Sequence, residues 1–213
     1  MKGLLVKDMR MLLGQKKFGA ILVLMTVVLG FNSNDYFVVY YLTFVCSFMA
    51  INSISYDEND NGYPFIFTLP VDRSIYVREK YLFGFILNLG SWLTGMLVCG
   101  GFAIARGELA AFRANFAMLL LIFLVMFVFD LVVFPLLFKF GSEKGRIVML
   151  CFFVMIFIIG YMLSRFVDFS SNIFLPLSRC PKMALGALLA AITVILLLVS
   201  YTVSVVIMKK KEF

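Results

Sequence analysis

Six long runs of apolar residues, separated by short polar stretches, occupy most of this 213-residue chain. A helix needs about 20 predominantly apolar residues to cross the hydrocarbon core of a bilayer. The runs lie at residues 18–31, 36–54, 81–105, 116–138, 147–163 and 183–208. The first run is short for a span, although the flanking Lys16 and Lys17 can extend its reach. We therefore predict a single all-α integral membrane domain over residues 1–213, with six transmembrane helices.

The composition of the chain argues against a soluble protein. The sequence is 63% hydrophobic and 15% charged, whereas soluble domains are about half apolar and a quarter charged. The net charge of +7 does not form a stripe with interleaved aromatic residues, because the basic residues flank the apolar runs. This placement favours the surface of a lipid bilayer as a partner and argues against nucleic acid.

The basic residues are divided unequally between the two sides of the predicted membrane domain. Of the 19 Lys and Arg residues, fourteen would share one side and five the other. The larger group comprises Lys2, Lys7, Arg10, Lys16, Lys17, Arg73, Arg78, Lys80, Lys139, Lys144, Arg146, Lys209, Lys210 and Lys211. Cytoplasmic loops carry the excess of basic residues in membrane proteins. We therefore expect a multi-pass protein with its N- and C-termini in the cytoplasm.

Residues 1–17 have the pattern of an amphipathic helix. Leu5, Met9 and Leu12 recur at helical spacing, while Lys7 and Arg10 point elsewhere. A basic amphipathic helix is typical of a segment that lies in the membrane interface. The alternative is the basic start of a signal peptide, but no small-x-small cleavage site follows. We predict an interfacial helix at residues 1–17.

The longest polar interruption spans residues 55–80. It opens with acidic residues and closes with basic ones, and residues 63–69 between them are mostly apolar. Pro64 suits the first turn of a helix, Pro70 ends it, and Asp72 can cap the helix that continues into the third span. A short apolar helix outside the bilayer is typical of a contact site for a protein partner. The alternative is a re-entrant or interfacial helix that packs on the bilayer.

Asp130 lies deep in the fourth apolar run. A carboxylate at that depth is costly and therefore indicates a structural or functional role. In the structural interpretation it bonds to a neighbouring helix, with Asn88, Ser91 and Thr94 as candidate partners. In the functional interpretation it handles a proton or a substrate, and the chain would be a self-contained ion-coupled carrier or channel.

Residue patterns that carry catalysis are missing from the sequence. It contains no histidine, no G-x-x-x-x-G-K-[ST] phosphate-binding loop and no membrane-embedded pair of carboxylates. Its four cysteines form no C-x-x-C pair. We therefore expect a chain that is not an enzyme, holds no metal and binds no nucleotide itself.

Three ordered segments of the stretch at residues 55–80 resemble the cytoplasmic loop of ABC-2 type transporter permeases. They are DENDNGY at residues 57–63, TLPVDR at residues 68–73 and VREKY at residues 77–81. The segment GLLVKD at residues 3–8 is similar to the opening of that family, and the six-span layout agrees. The resemblance is to the small bacterial type, which includes exporters of amphipathic peptides such as phenol-soluble modulins.

This resemblance implies a permease subunit of a larger transporter in the bacterial cell membrane. Such permeases pair as homodimers or related heterodimers above separate cytoplasmic ABC ATPase subunits, which bind the ATP and Mg²⁺. The short helix in residues 55–80 would be the coupling helix, seated in a groove of the ATPase. The residues expected to dock there are Glu58, Tyr63, Phe65, Phe67, Leu69, Pro70 and Arg73. No cofactor is expected in this chain.

The resemblance also suggests where cargo would pass. The first, second and fifth spans would line the dimer interface. Tyr40, Tyr41 and Phe44 on the second span favour an apolar or amphipathic cargo, and we expect a peptide. Asp130 would then belong either to the substrate path or to helix packing.

Overall fold

The computed structural model of this chain describes residues 2–32, 36–58, 62–68, 71–166 and 182–211. Every regular element within these ranges is an α-helix. The helices are α1 (Lys2–Gly14), α2 (Lys16–Asn32), α3 (Phe37–Glu58), α4 (Gly62–Thr68), α5 (Arg73–Arg106), α6 (Leu109–Phe166) and α7 (Lys182–Lys210). The predicted all-α architecture is confirmed for this part of the chain.

Four helical segments within the described ranges are long and apolar enough to cross a membrane. They are Phe37–Glu58, Arg73–Arg106, Leu109–Gly145 and Leu189–Lys210. The pair Lys2–Gly14 and Lys16–Phe31, bent by 70°, would add a fifth span if it is one broken span. An integral membrane protein is therefore confirmed, whereas the count of six spans and the interfacial position of residues 1–17 stay predictions. The predicted fifth span, residues 147–163, falls in the second half of α6, where few side chains are described.

Helices extend into several of the polar stretches that separate the predicted spans. Helix α3 continues to Glu58, beyond the predicted end of the second span at residue 54. Helix α5 begins at Arg73, directly after Asp72, as predicted. The predicted loop at residues 139–146 is helical apart from Gly141, which has φ 78° and ψ 176°. Hydropathy locates the part of a helix that lies in hydrocarbon, and polar turns can continue that helix beyond the bilayer.

Helix α5 lies against α3 and α6 through two clusters of buried side chains. The cluster near α4 contains Tyr76, Phe134 and Phe138, and the one toward the other end contains Val39 and Trp92. Close packing there relies on small residues, as is common between membrane helices. A Cβ added at Gly95 would lie 3.0 Å from the Cα of Val39. These contacts fix the spacing of α3 and α5, which present the site described next.

Candidate functional site at the α4 end

Helix α4 has one buried aromatic face and one exposed aromatic residue. Tyr63 is buried and Phe67 is half-buried; their ring centroids are 6.3 Å apart and the rings stack. Tyr76 of α5 meets both rings edge-on, at 5.8 Å from Tyr63 and 5.9 Å from Phe67. Burial raises the pKa of the Tyr63 phenol, which therefore stays neutral at physiological pH. Phe65 is 70% exposed, so it is the aromatic that α4 presents outward.

Next to α4 lies a group of four charged residues that we call the charge cluster: Lys7, Asp8, Asp57 and Lys80. Asp8, Asp57 and Lys80 are buried, and Lys7 is partly exposed. The Nζ of Lys80 is 2.5 Å from Asp8 Oδ2 and 2.6 Å from Asp57 Oδ2. Lys80 also donates to Ser53 Oγ at 2.7 Å, and Ser53 donates to Asp8 Oδ2 at 2.8 Å. Lys7 pairs with Asp57, and its Nζ lies 3.1 Å from Asp8 Oδ1. Asp8 and Lys80 are 0% and 1% exposed, so these charges depend on one another for compensation.

The charge cluster connects three helices. Lys7 and Asp8 come from α1, Asp57 from α3 and Lys80 from α5. Tyr76 extends the network to α4, because its hydroxyl donates to Asp57 Oδ2 at 3.0 Å while its ring packs on the α4 aromatics. A displacement of α4 would therefore act directly on the network that joins α1, α3 and α5.

Glu58, at the end of α3, contacts the break in α6. Its carboxylate accepts a hydrogen bond from the backbone N–H of Ser142, the first residue after Gly141. A carboxylate at the start of a helical segment satisfies a free N–H and complements the helix dipole. A Cβ at Gly141 would overlap the same carboxylate, and Lys211 Nζ lies 3.4 Å from Glu58 Oε1. Glu58 thus connects α3 with α6 and with Lys211, the residue directly after α7.

Arg73, the first residue of α5, binds the end of α7. Its Nη1 donates to the carbonyl oxygens of Met208 at 3.3 Å and Lys209 at 2.7 Å. A cation at a helix C-terminus satisfies free carbonyls and complements the dipole. The guanidinium also lies 5.8 Å from the ring centroid of Phe67. Arg73 therefore ties α4 and α5 to α7.

The predicted docking residues do not form one exposed surface in the structure. Glu58 and Arg73 contact helix ends of this chain, and Tyr63 is buried, whereas Phe65 faces outward. Leu69 and Pro70 lie outside the described residues. Asp72 stands at the N-cap of α5, but its side chain makes no capping hydrogen bond, so that part of the prediction was wrong.

Asp130 is fully buried between three helices. Asn88 Nδ2 of α5 donates to Asp130 Oδ2 at 2.5 Å and to Ser47 Oγ of α3 at 3.0 Å. The other predicted partners, Ser91 and Thr94, donate instead to carbonyls of α5 itself. No ion pair among the described residues includes Asp130. Asp130 therefore lies where α3, α5 and α6 meet, and its structural and functional interpretations both stay predictions.

The three aromatics predicted to face cargo occupy α3. Phe44 is 46% exposed and its ring lies 4.8 Å from that of Phe48, centroid to centroid. Tyr40 and Tyr41 are half-buried against the cluster that contains Val39 and Trp92. Phe44 is therefore the most open of the three to lipid, a second subunit or cargo.

Sequence reasoning missed Asp8, Ser53, Tyr76 and Lys80. Asp8 offered a signal, because it lies four residues after Leu4 and four before Leu12, on the apolar side of α1. A carboxylate on such a face requires a buried cation. The position of that cation, 72 residues away, could not be read from a local pattern.

The fold and this site define a polytopic α-helical membrane protein. Its short helix α4 lies outside the candidate spans and packs against their ends. Within the described ranges, no cluster of His, Cys, Asp or Glu could hold a metal ion. The sequence matches the ABC-2 family transporter protein family over residues 3–209. The chain therefore belongs to the ABC-2 transporter family, whose membrane subunits transport and are not themselves catalytic. No curated protein and no solved structure matches the chain.

Proposed function

We propose that this chain is the permease subunit of an ABC exporter, driven by ATP that a separate cytoplasmic subunit binds and hydrolyses. The observation that carries the proposal is α4, a short helix outside the spans that presents Phe65 outward and is anchored on its other face. An exposed aromatic on a rigid support is typical of an anchor residue at a protein interface. Two copies, or one copy and a related permease, would pair in the bacterial cell membrane, with the termini in the cytoplasm.

The contacts of α4 provide a route by which ATPase closure would move the spans. Tyr63 and Phe67 act on Tyr76 and through it on the charge cluster, and hence on α1, α3 and α5. The ends of the same stretch reach the other helices, since Glu58 contacts α6 and Arg73 contacts α7. Packed interiors transmit displacement because they deform little. A push on α4 would thus reach most of the bundle as a concerted movement.

The cargo we propose is a hydrophobic or amphipathic peptide. Many large apolar side chains are exposed on the spans, among them Phe44 of α3. Apolar and aromatic surface suits the apolar face of an amphipathic peptide. The cargo path would lie between the two permease copies, where the second span contributes Phe44.

The proposal is tested by purifying the tagged chain from its native membranes and measuring co-purified ATPase. The wild type should bring down a P-loop ATPase identified by mass spectrometry, with ATP hydrolysis in the eluate. Phe65→Glu should reduce its recovery by more than about ten-fold, because an interface anchor contributes about 2 kcal/mol or more. Phe65→Leu, which keeps the side chain apolar, should retain most of it.

Glu143→Gln is the matched control, since Glu143 is also exposed but lies on α6. Its ATPase recovery should equal that of the wild type. If the wild type recovers no ATPase, the exporter proposal is wrong. If recovery survives Phe65→Glu, the ATPase docks elsewhere and α4 is not the coupling helix.

A further inference from the structure

A cavity of about 550 Å³ lies between α5, α6 and α7, away from the contacts of α4. Its walls are almost entirely apolar or aromatic, and Arg78 supplies the one charged group. Besides Arg78, it is lined by Tyr81, Leu82, Phe85, Phe127, Leu197 and Tyr201. The Tyr81 hydroxyl is already hydrogen-bonded to Ser200 and Ser204 of α7. The cavity therefore offers an apolar slot with a single cation.

The slot lies in one half of the membrane thickness. At 1.5 Å per helical residue, Phe85 lies roughly 18 Å from Arg73 along α5, and Leu197 lies roughly 18 Å from Lys209 along α7. Arg78 is much nearer the helix end, roughly 8 Å from Arg73. One leaflet of hydrocarbon is about 15 Å thick. The apolar walls extend roughly 6 Å along α5, from Tyr81 to Phe85, and a similar distance along α7, so they fit within one leaflet. Arg78 lies about one turn nearer the helix end, at the level of the headgroups.

A second, polar cavity lies nearer the ends of α5 and α7, about one helical turn beyond Arg78, and we treat the two cavities together as one groove. It also measures about 550 Å³ and is lined by Asp72, Arg73, Ser74 and Lys209, among others. Ser74 and Arg78 are four residues apart on α5 and so share a helix face. Two cations, Arg73 and Lys209, face this cavity with one carboxylate, that of Asp72. The polar cavity therefore carries a net positive charge, and it lies nearer the helix ends than the apolar cavity does.

We propose that this groove binds an anionic phospholipid of the leaflet at the α4 end, with its phosphate at Arg78 and an acyl chain against Phe85, Phe127 and Leu197. Charge complementarity selects this occupant, because the only charged residue among the described residues of the apolar part is Arg78, a cation at headgroup depth. Arg78 is exposed, and none of the ion pairs between described residues uses it. The inference requires membrane embedding but does not depend on the exporter function.

The test is native mass spectrometry of the delipidated full-length chain, titrated with phosphatidylglycerol or with phosphatidylcholine of the same acyl chains. The wild type should bind one phosphatidylglycerol several-fold more tightly than phosphatidylcholine. Arg78→Gln should weaken phosphatidylglycerol binding by about five-fold, the value of one basic residue near the membrane surface. It should weaken phosphatidylcholine binding less, because the choline ammonium already neutralises the phosphate of that lipid. Lys139→Gln removes an exposed cation of α6 that lines neither cavity and should change nothing.

Leu82→Trp tests the slot itself, because Leu82 is partly exposed and a larger side chain there narrows the cavity without entering the core. This variant should weaken the binding of both lipids. Equal affinity for the two lipids, or an unchanged affinity in Arg78→Gln, would overturn the proposal. An equal loss in Lys139→Gln would also overturn it, since general surface charge would then explain the preference. Displacement of lipid by a second copy or by an amphipathic peptide at the same concentration would assign the groove to that occupant instead.

Discussion

Lys80 is the cation on which the buried part of the charge cluster depends. It contacts the carboxylates of Asp8 and Asp57, and it lies 3.9 Å from a third carboxylate, that of Glu79. Lys7, the other cation, is partly exposed. Buried ion pairs contribute little net stability when intact, but breaking one leaves an uncompensated charge. The stability of this end of the bundle should therefore be sensitive to the ammonium group of Lys80.

Lys80→Met removes that charge at nearly constant volume. We expect a loss of about 3–5 kcal/mol in the free energy of unfolding, because two buried carboxylates lose their main counter-ion. Thermal or denaturant unfolding in mild detergent measures the loss. Lys139→Met, at an exposed lysine, should change stability by less than about 0.5 kcal/mol. A Lys80→Met protein as stable as the control would show that the carboxylates do not need this partner.

The role of Asp130 distinguishes the exporter hypothesis from the alternative of a self-contained ion-coupled carrier or channel. In the structure its role is to accept the hydrogen bond from Asn88. Asp130→Asn retains an acceptor for Asn88 and should keep both folding and export, whereas Asp130→Leu should cost about 1–3 kcal/mol by orphaning the Asn88 donor. Stability and cargo export, measured side by side, check this. Loss of export in a stable Asp130→Asn protein would favour proton or substrate handling.

At the scale of elements, the break in α6 depends on a glycine for two reasons. The φ and ψ of Gly141 lie in a region that is essentially restricted to glycine. Its Cα also lies against the Glu58 carboxylate, which leaves no room for a Cβ. The break is therefore held by both backbone conformation and a contact from α3.

Gly141→Ala should lower the free energy of unfolding by about 1–3 kcal/mol from the backbone alone, and displacement of Glu58 should add to this. Gly90→Ala is the matched control, because Gly90 is helical and a Cβ there meets nothing within 4 Å. The control should be neutral or stabilising by up to about 1 kcal/mol. The same unfolding assay compares them, and equal stabilities would mean that α6 tolerates a continuous helix at this point.

Local sequence signals predicted the elements better than their connections. Pro64 falls in the first turn of α4, as expected, whereas Pro70 lies outside the described residues. Asp72 marked the polar start of α5, but hydropathy did not predict the polar turns that continue α3 to Glu58. Hydropathy also gave no sign of which α4 residues face inward, because every side of that helix is apolar or aromatic. Asn88 was foreseen as a partner of Asp130 because both lie in neighbouring spans at similar depth.

At the scale of the whole molecule, the exporter proposal requires α4 to face the cytoplasm. The α4 end carries most of the basic residues, which favours this orientation. This orientation would also place Glu143 in the cytoplasm and Glu108, in the turn between α5 and α6, on the opposite side of the membrane. Both side chains are exposed, so the two positions provide a matched pair of probes.

In a background without the four native cysteines, Glu143→Cys should resist a membrane-impermeant maleimide in intact cells and react in inverted vesicles. Glu108→Cys should show the opposite pattern. Gel-shift labelling with and without permeabilisation makes the measurement. The reverse result for both positions would put α4 outside the cell and would exclude a cytoplasmic ATPase as its partner.

The charge cluster also has a consequence for how the chain is made. Asp8 is synthesised 72 residues before Lys80, and the helices between them must enter the membrane before the two can meet. Until then Asp8 is an unpaired carboxylate, which favours water over a buried position. The final seating of α1 is therefore a late step that depends on the arrival of α5. A chain cut short before α5, or one whose α5 fails to insert, would leave its first helix unpacked, because Asp8 would lack its counter-ion.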